Sequence, residues 1–291
     1  MIFLQYLVDA LSLASLYALV ALGIAMVFGI MQLVNFAHGE LIMIGGYTLL
    51  VLSTQPWIVA GMGVVAVVVI AALVMERVAF RPVRGAPPTT LLITSFAVSY
   101  LLQNVAIIAT GDRPKTIALP AVLIQSVQVG GLQVQELHLV TMALTVILVV
   151  ALVLFLKYTA LGVQMRAAAE DFQMARLLGV RADRVVASAF AISGLLAGTV
   201  ALLLVAQTDL LTPTMGVQLV LVGFVATVIG GMGSLTGAGL GGALLGVLTV
   251  GLQALLPTEL RPFRDAFSFL VVISLLVLRP QGILGTKAFR V

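Results

Sequence analysis

Long apolar runs separated by short polar segments make up most of the chain. Two of these runs, "IVAGMGVVAVVVIAALVM" (Ile58 to Met75) and "LVTMALTVILVVALVLFL" (Leu139 to Leu156), contain no charged residue. They approach the length of about 20 residues with which a helix crosses a bilayer. Gly45 and Gly46 interrupt one short run, so the pattern predicts eight or nine crossings. The predicted helices cover residues 5–30, 41–55, 57–76, 89–109, 138–156, 185–206, 217–230, 237–256 and 265–278.

The composition indicates a protein that is folded in lipid. Hydrophobic residues make up 62% of the chain and charged residues 9%, whereas soluble domains are about 45–50% apolar. The predicted fold class is therefore all-α, a polytopic transmembrane helical bundle with discontinuous glycine-rich helices. We expect residues 1–291 to form a single transmembrane domain.

Basic residues cluster in three loops, at residues 76–88, 157–184 and 279–291. Loops rich in Arg and Lys stay on the cytoplasmic side of a membrane, so all three are predicted to lie there. An even number of predicted helices separates each basic loop from the next, as a shared side requires. The net charge of +4 therefore reflects membrane topology, and we expect no nucleic-acid partner.

The loop at residues 111–136 is consequently predicted on the external side. Its alternating stretch "IQSVQVGGLQVQ" surrounds Gly130 and Gly131. Because Gly-Gly supports the tight turns that join antiparallel strands, this stretch predicts a small β-hairpin.

A polar interruption, "VNFAHGEL", follows the first apolar run and contains Asn35, His38, Gly39 and Glu40. One interpretation places Glu40 at the cytoplasmic interface, where it reaches water. The other is a helix broken within the membrane, whose polar groups line a solute path, as in transporters with discontinuous helices. Ionisable residues at membrane depth favour a functional role.

A second interruption is rich in glycine: "VIGGMGSLTGAGLGGALLG", residues 228–246, with Gly230, Gly231 and Gly233 at its start. Glycines in a membrane segment permit close helix packing. They also free the backbone to bend and line a path. The pattern is compatible with both roles.

The loop at residues 157–184 contains a predicted amphipathic cytoplasmic helix that Gly179 ends. Such a helix either lies on the bilayer surface or docks into a groove of a partner protein. Its alanines and acidic residues favour docking. The residues at helical spacing on its apolar face are Met165, Ala169, Phe172, Ala175 and Leu178, and those on its other faces include Arg166, Glu170, Asp171 and Arg176.

Four motifs, "NFAHGE", "RAAAEDFQMARLLGV", "VIGGMGSLTGAGLGGALLG" and "RPQGILG", occur in this order. Together they resemble the membrane permease of branched-chain amino acid ABC importers over essentially the whole chain. The resemblance implies a multi-pass permease domain in the bacterial inner membrane, and an amino acid as substrate. It also implies four partners: a second permease subunit, identical or homologous, two cytoplasmic ABC ATPases and a periplasmic solute-binding protein.

The resemblance also implies roles for individual residues. The segment around Glu170 to Gly179 matches the part of the family that seats in an ATPase groove. The candidates for ATPase coupling are Arg166, Glu170, Asp171, Ala175, Arg176, Leu178 and Gly179. The candidates for the translocation path are Asn35, His38, Gly39, Glu40, Gly230, Gly231 and Gly233.

Other functions remain open at this point. Related permeases carry urea, short amides or other amino acids, so the resemblance leaves the substrate undecided. A proton-coupled secondary transporter would use His38 and Glu40 as a titrating pair, although a self-sufficient carrier does not need the helix in residues 157–184. A structural subunit without a path conflicts with two polar or glycine-rich helix breaks.

We expect no enzymatic activity, cofactor or metal. The chain lacks the Gly-x-x-x-x-Gly-Lys-Ser/Thr sequence that cradles nucleotide phosphates, so ATP hydrolysis is expected in partner subunits. With two histidines, His38 and His138, and no cysteine, the residue spacing predicts no metal site.

Overall fold

A computed structural model describes residues 2–117, 126–129, 132–279 and 282–283. Within these residues the chain forms eleven α-helices and two short β-ribbons. It also forms a π-helical turn, Glu76–Phe80, and a 3₁₀ turn, Arg261–Phe263. The helices are α1 (Ile2–Met31), α2 (His38–Val51), α3 (Trp57–Met75), α4 (Pro88–Thr110), α5 (Glu136–Tyr158), α6 (Ala160–Glu170), α7 (Phe172–Leu177), α8 (Ala182–Thr208), α9 (Met215–Gly230), α10 (Leu235–Leu255) and α11 (Arg264–Leu278).

Six helices have the length and apolar composition to cross a membrane, which confirms a multi-pass helical protein. They are Leu4–Met31, Trp57–Phe80, Pro88–Thr110, Glu136–Tyr158, Ala182–Thr208 and Leu235–Leu255. The remaining predicted segments correspond to α2, α9 and α11, which have 14, 16 and 15 residues. At 1.5 Å per residue these helices are shorter than the roughly 30 Å hydrocarbon core. The count of eight or nine crossings therefore stays a prediction.

The buried centre of the bundle is built from α1 and α8. Helix α10 packs antiparallel to α1, with Gly242 against Ala18 and Gly246 against Ala14. Helix α3 packs on α8, where Gly194 and Gly198 lie against the backbone of α3. Small residues let membrane helices approach closely and gain dispersion contacts over a long interface. The glycine-rich sequence of α10 thus serves packing along α1.

The basic loops lie together, as their charge pattern predicts. Arg81 and Arg84, in the loop after α3, both form ion pairs with Asp183 at the start of α8, at 2.6 and 2.7 Å. Of the C-terminal basic tail, Gly282 and Ile283 are described, and Ile283 N–H donates a hydrogen bond to the Ile229 carbonyl at the end of α9, at 2.7 Å. Since α10 starts nearby and runs antiparallel to α1, the tail reaches the end of the bundle where α1 terminates.

The predicted hairpin is confirmed by the pairing of strands β2 (Ser126–Val129) and β3 (Leu132–Gln135) in antiparallel register. Its turn, Gly130 and Gly131, lies outside the described residues. A second ribbon, which the sequence pattern did not predict, pairs β1 (Lys115–Thr116) with β4 (Leu210–Leu211). This ribbon ties the loop after α4 to the segment that follows α8.

Candidate functional site

Helix α2 begins deep inside the bundle. Its first residue, His38, is buried, and a Cβ atom on Gly23 of α1 would lie 2.6 Å from its Cε1. His38 Nδ1 is 3.0 Å from the hydroxyl of Ser193 in α8. Gly23 precedes the end of α1 by eight residues and Ser193 follows the start of α8 by eleven, about 12 and 16 Å at 1.5 Å per residue. This depth favours the discontinuous-helix interpretation over the interfacial one.

Glu40 is held by α4, a helix that contributed no candidate residue to the sequence analysis. The carboxylate is fully buried, and its Oε1 accepts hydrogen bonds from Ser99 Oγ and Gln103 Nε2, both at 2.8 Å. Its Oε2 has no hydrogen-bond partner among the described residues. Both donors are neutral, and within the same part of the chain no basic side chain pairs with Glu40. A buried carboxyl group with incomplete partners is costly in an apolar interior, so packing alone does not account for a carboxyl group at this position.

His38 and Glu40 do not form a pair. Two residues apart on a helix correspond to a rotation of about 200°, so the two side chains point in different directions. His38 contacts α1 and α8, whereas Glu40 contacts α4. No hydrogen bond joins them in the described structure. The described contacts therefore do not support the titrating pair that a proton-coupled carrier would require.

Asn35 and Gly39 connect the break to two further helices, α3 and α9. Asn35 Oδ1 accepts a hydrogen bond from the Ala37 backbone N–H at 3.1 Å, and its Nδ2 lies 4.0 Å from Met75 Sδ in α3. Gly39 meets Gly216 at the start of α9, and a Cβ on either glycine would clash with the carbonyl oxygen of the other. The four candidates from the break therefore anchor the start of α2 to five surrounding helices.

The glycine candidates lie elsewhere. Gly230 ends α9 against Gly237 of α10, with backbone in contact with backbone. Gly231 and Gly233 have φ angles of 102° and 95° in the turn that joins the two helices. Because α9 has 16 residues, this turn is about 20 Å from the contact at Gly216. The structure thus separates the glycine turn from the polar break, and its evident role is a tight connection.

Sequence reasoning missed the partners of the break: Gly23, Ser99, Gln103, Ser193 and Gly216. A signal was present in α4, where Ser95, Ser99 and Gln103 recur every four residues and so share one helix face. A polar face on a helix of spanning length requires a partner. Ser193 and Gly216 carried no comparable signal.

The segment at residues 157–184 contains two helices, so the prediction of a single amphipathic helix is wrong. Asp171 has extended backbone angles between α6 and α7, and its Oδ1 accepts the Met174 N–H at 2.9 Å. Asp favours this N-cap position because its side chain satisfies a free backbone donor. The prediction that Gly179 ends the helix is confirmed. Gly179 N–H bonds the Arg176 carbonyl and Val180 N–H bonds the Ala175 carbonyl, the Schellman pattern.

The coupling candidates divide into an outward and an inward group. Leu178 is 79% exposed and its neighbour Leu177 is 81% exposed, which gives α7 an apolar patch facing away from the chain. Ala175 is buried inside the chain, so its side chain does not face outward. The outward charged residues are Arg166, Glu170, Asp171 and Arg176.

A cavity of about 320 Å³ lies where α6 and α7 meet. Arg84, Glu170 and Asp171 supply its charged side chains. The end of α1 closes another side, from Gly29 to Gln32. The junction between α6 and α7 is therefore close to the loop after α3 and to the end of the first helix.

Comparison with known proteins places the chain in a family. The family model described as "Branched-chain amino acid transport system / permease component" matches residues 6–277. The high-affinity branched-chain amino acid transport system permease protein LivH of Escherichia coli (strain K12) is 36% identical, over 97% of this chain and 96% of its own. The Salmonella typhimurium LivH and the Pseudomonas aeruginosa BraD permease proteins are each 35% identical over the same shares. No solved structure matches the chain. With a match across nearly its whole length, this chain belongs to the branched-chain amino acid transport system permease family.

Proposed function

We propose that the chain is the transmembrane permease subunit of an ATP-driven importer for branched-chain amino acids. The observation that carries the proposal is the similarity to LivH and BraD permease proteins over 97% of the chain. The helical bundle with spanning-length helices suits that role. The protein itself carries out no catalysis, and the energy comes from partner ATPases.

The solute path is formed around the start of α2. Support comes from the depth of His38 in the bundle and from the buried carboxyl of Glu40 with one oxygen lacking a partner among the described residues. Discontinuous membrane helices offer such polar ends to a passing solute. Because five helices meet at this point, a change in their packing opens or closes the path, and alternating access follows. Gly230, Gly231 and Gly233 contribute by holding α9 and α10 together.

Coupling to ATP hydrolysis takes place at α6 and α7. Leu177 and Leu178 offer an exposed apolar patch on the cytoplasmic side, and exposed apolar patches rimmed by polar residues are typical of protein interfaces. Glu170, Asp171, Arg166 and Arg176 surround this patch with both signs of charge, which gives a docking partner its orientation. Ala175 acts from the buried side of α7, where it packs on its own chain, and Gly179 acts by ending that helix.

The complete importer has four further subunits: a second permease, identical or homologous, two cytoplasmic ABC ATPases and a periplasmic solute-binding protein. It is located in the bacterial inner membrane. A branched-chain amino acid enters from the binding protein and crosses along a path to which both permeases contribute.

The test is gentle purification from source membranes, identification of the bound subunits by mass spectrometry, and reconstitution in vesicles. We expect two ATPases with nucleotide-binding motifs, a second permease, and uptake of leucine, isoleucine and valine that requires internal ATP. Uptake of urea or amides in place of these amino acids would overturn the substrate assignment. A solitary chain that transports in response to a proton gradient would overturn the importer.

A further inference from the structure

Arg84 joins two carboxylates at the cytoplasmic end of the bundle. Its guanidinium forms an ion pair with Glu76, where α3 continues into the π-helical turn, and its Nη1 lies 2.7 Å from Asp183 Oδ1 in the first turn of α8. The Arg84 side chain is 16% exposed and that of Glu76 is 7% exposed, whereas that of Asp183 is 58% exposed. Charges shielded from water interact more strongly than exposed ones, and the planar guanidinium suits two carboxylates at once. Arg84 therefore ties the end of α3 to the start of α8.

The same side chain lies beneath the cytoplasmic helices. Arg84 lines the cavity at the junction of α6 and α7, together with Glu170 and Asp171. The chain from the end of α7 at Leu177 to the start of α8 at Ala182 is short. A force on α7 thus reaches α8 through this short link. The same force reaches α3 through Arg84, which pairs with residues of both α3 and α8.

Helix α8 continues this connection to the polar break. Ser193 of α8 contacts His38 at the start of α2, and Gly194 and Gly198 hold α8 against the backbone of α3. Two helices in backbone contact move together if their ends are also fixed. Among the ion pairs of the described residues, only Arg84 pairs with carboxylates at both helix ends, Glu76 at the end of α3 and Asp183 at the start of α8.

We infer that Arg84 is a positioning residue for energy coupling: it holds the cytoplasmic ends of α3 and α8 as one body beneath α6 and α7. Displacement of the coupling helices by a partner ATPase then moves both transmembrane helices and, through Ser193, the start of α2. This inference rests on the proposed function, because it needs an ATPase to supply the displacement.

Arg81 provides a matched comparison. It pairs with the same carboxylate, at 2.6 Å, but its side chain is 42% exposed, and it neither pairs with Glu76 nor lines the cavity. Loss of Arg81 removes one exposed ion pair, and exposed pairs contribute little. A difference in coupling between the Arg84 and Arg81 variants therefore shows the effect of the bridging position, because both variants remove one positive charge from the same surface.

The experiment measures ATP hydrolysed per amino acid imported by the complete complex in vesicles, for wild type, Arg84→Gln and Arg81→Gln. We expect Arg84→Gln to raise this ratio about fivefold or more, within the range by which residues in a coupling network alter coupling, while Arg81→Gln stays within about twofold. Arg84→Lys keeps the charge but lacks the planar fork, so its ratio is expected between those of wild type and Arg84→Gln.

An unchanged ratio in Arg84→Gln overturns the inference, even if the amount of assembled complex falls, because a purely structural role lowers yield without altering stoichiometry. If Arg84→Gln does not assemble, Asp183→Asn removes the pairs of both Arg84 and Arg81 with α8. Since Arg81→Gln measures the Arg81 pair alone, a ratio in Asp183→Asn no higher than that in Arg81→Gln also overturns the inference. Equal ratios in Arg84→Gln and Arg81→Gln also overturn it. Failure of the proposed function is distinct: wild-type complex would then contain no ATPase or import without ATP.

Discussion

Gly39 and Gly216 meet backbone to backbone where α2 and α9 begin. Each occupies the space that a Cβ on the other would need, since that atom would clash with the opposing carbonyl oxygen. Both helices are shorter than a full membrane crossing. This contact therefore holds two short helices together near the centre of the bundle, beside the buried side chains of His38 and Glu40.

Substitution of Gly216 by alanine is expected to separate these helices. Because the added methyl group meets backbone rather than a movable side chain, the cost is at or above the roughly 1–3 kcal/mol typical of overpacking. Uptake in vesicles should fall about tenfold, which corresponds to 1.4 kcal/mol. The control is Gly251→Ala in α10, where a Cβ meets nothing within 4 Å. Equal uptake in the two variants would contradict the contact.

Substitution of Glu40 by glutamine tests the path. The amide keeps the size of the side chain and an oxygen that can accept from Ser99 and Gln103, but it removes the ionisable carboxyl group. Because an ionisable group at membrane depth is typical of a transport path, we expect uptake to fall about tenfold or more, which corresponds to about 1.4 kcal/mol, while the complex still assembles. Uptake of labelled leucine and the subunit content of the purified complex are measured together.

Glu259→Gln is the control for this change, since Glu259 is an exposed carboxylate between α10 and α11. It should leave uptake unchanged. Wild-type uptake in Glu40→Gln would reduce Glu40 to a packing contact between α2 and α4.

The contact between Ser193 and His38 is expected to stabilise the break. Ser193→Ala leaves Nδ1 of a buried imidazole without its partner, at a cost of about 1–3 kcal/mol. Thermal unfolding of the purified complex should shift to lower temperature. Ser274→Ala is the control, because the Ser274 hydroxyl bonds only its own helix, at the carbonyl of Leu270. A shift of the same size in both variants would show that the contact with His38 is not responsible.

The role of Asp171 separates into capping and charge. Asn caps helices about as well as Asp, whereas Ala loses about 1 kcal/mol. Asp171→Asn should therefore keep α7 folded while removing the negative charge offered to an ATPase. Asp171→Lys should replace that negative charge with a positive one. We expect little effect on assembly in Asp171→Asn and uncoupled transport in Asp171→Lys, measured as ATPase activity against uptake. Full coupling in Asp171→Lys would exclude charge recognition at this position.

The two faces of α7 are expected to respond differently to substitution. Ala175 is buried against its own chain, so Ala175→Leu forces α7 outward at a cost of about 1–3 kcal/mol and lowers the stability of the isolated permease. Leu178 is exposed, so Leu178→Ser should leave that stability unchanged and weaken retention of the ATPases during purification. Normal ATPase retention in Leu178→Ser would place the docking surface elsewhere.

Several features followed directly from the sequence. Uncharged apolar runs predicted the six helices of spanning length because burial in lipid requires apolar side chains and internally satisfied backbone groups. Basic residues predicted that the first two basic loops share a side, and Arg81 and Arg84 indeed pair with Asp183. Gly179 was a local signal for a helix end, since the left-handed conformation after Leu178 suits glycine.

The tertiary structure decided where the polar residues point. Glu40 and Ser99 are 59 residues apart, and His38 and Ser193 are 155 apart. Helical periodicity along the chain carries no information about such pairs. For the same reason the sequence placed Ala175 on a docking face, although packing turns it inward. Local patterns determined which residues form helices and that the basic loops share one end of the bundle. Long-range packing alone set the depth of the break at His38 and the helices that surround it.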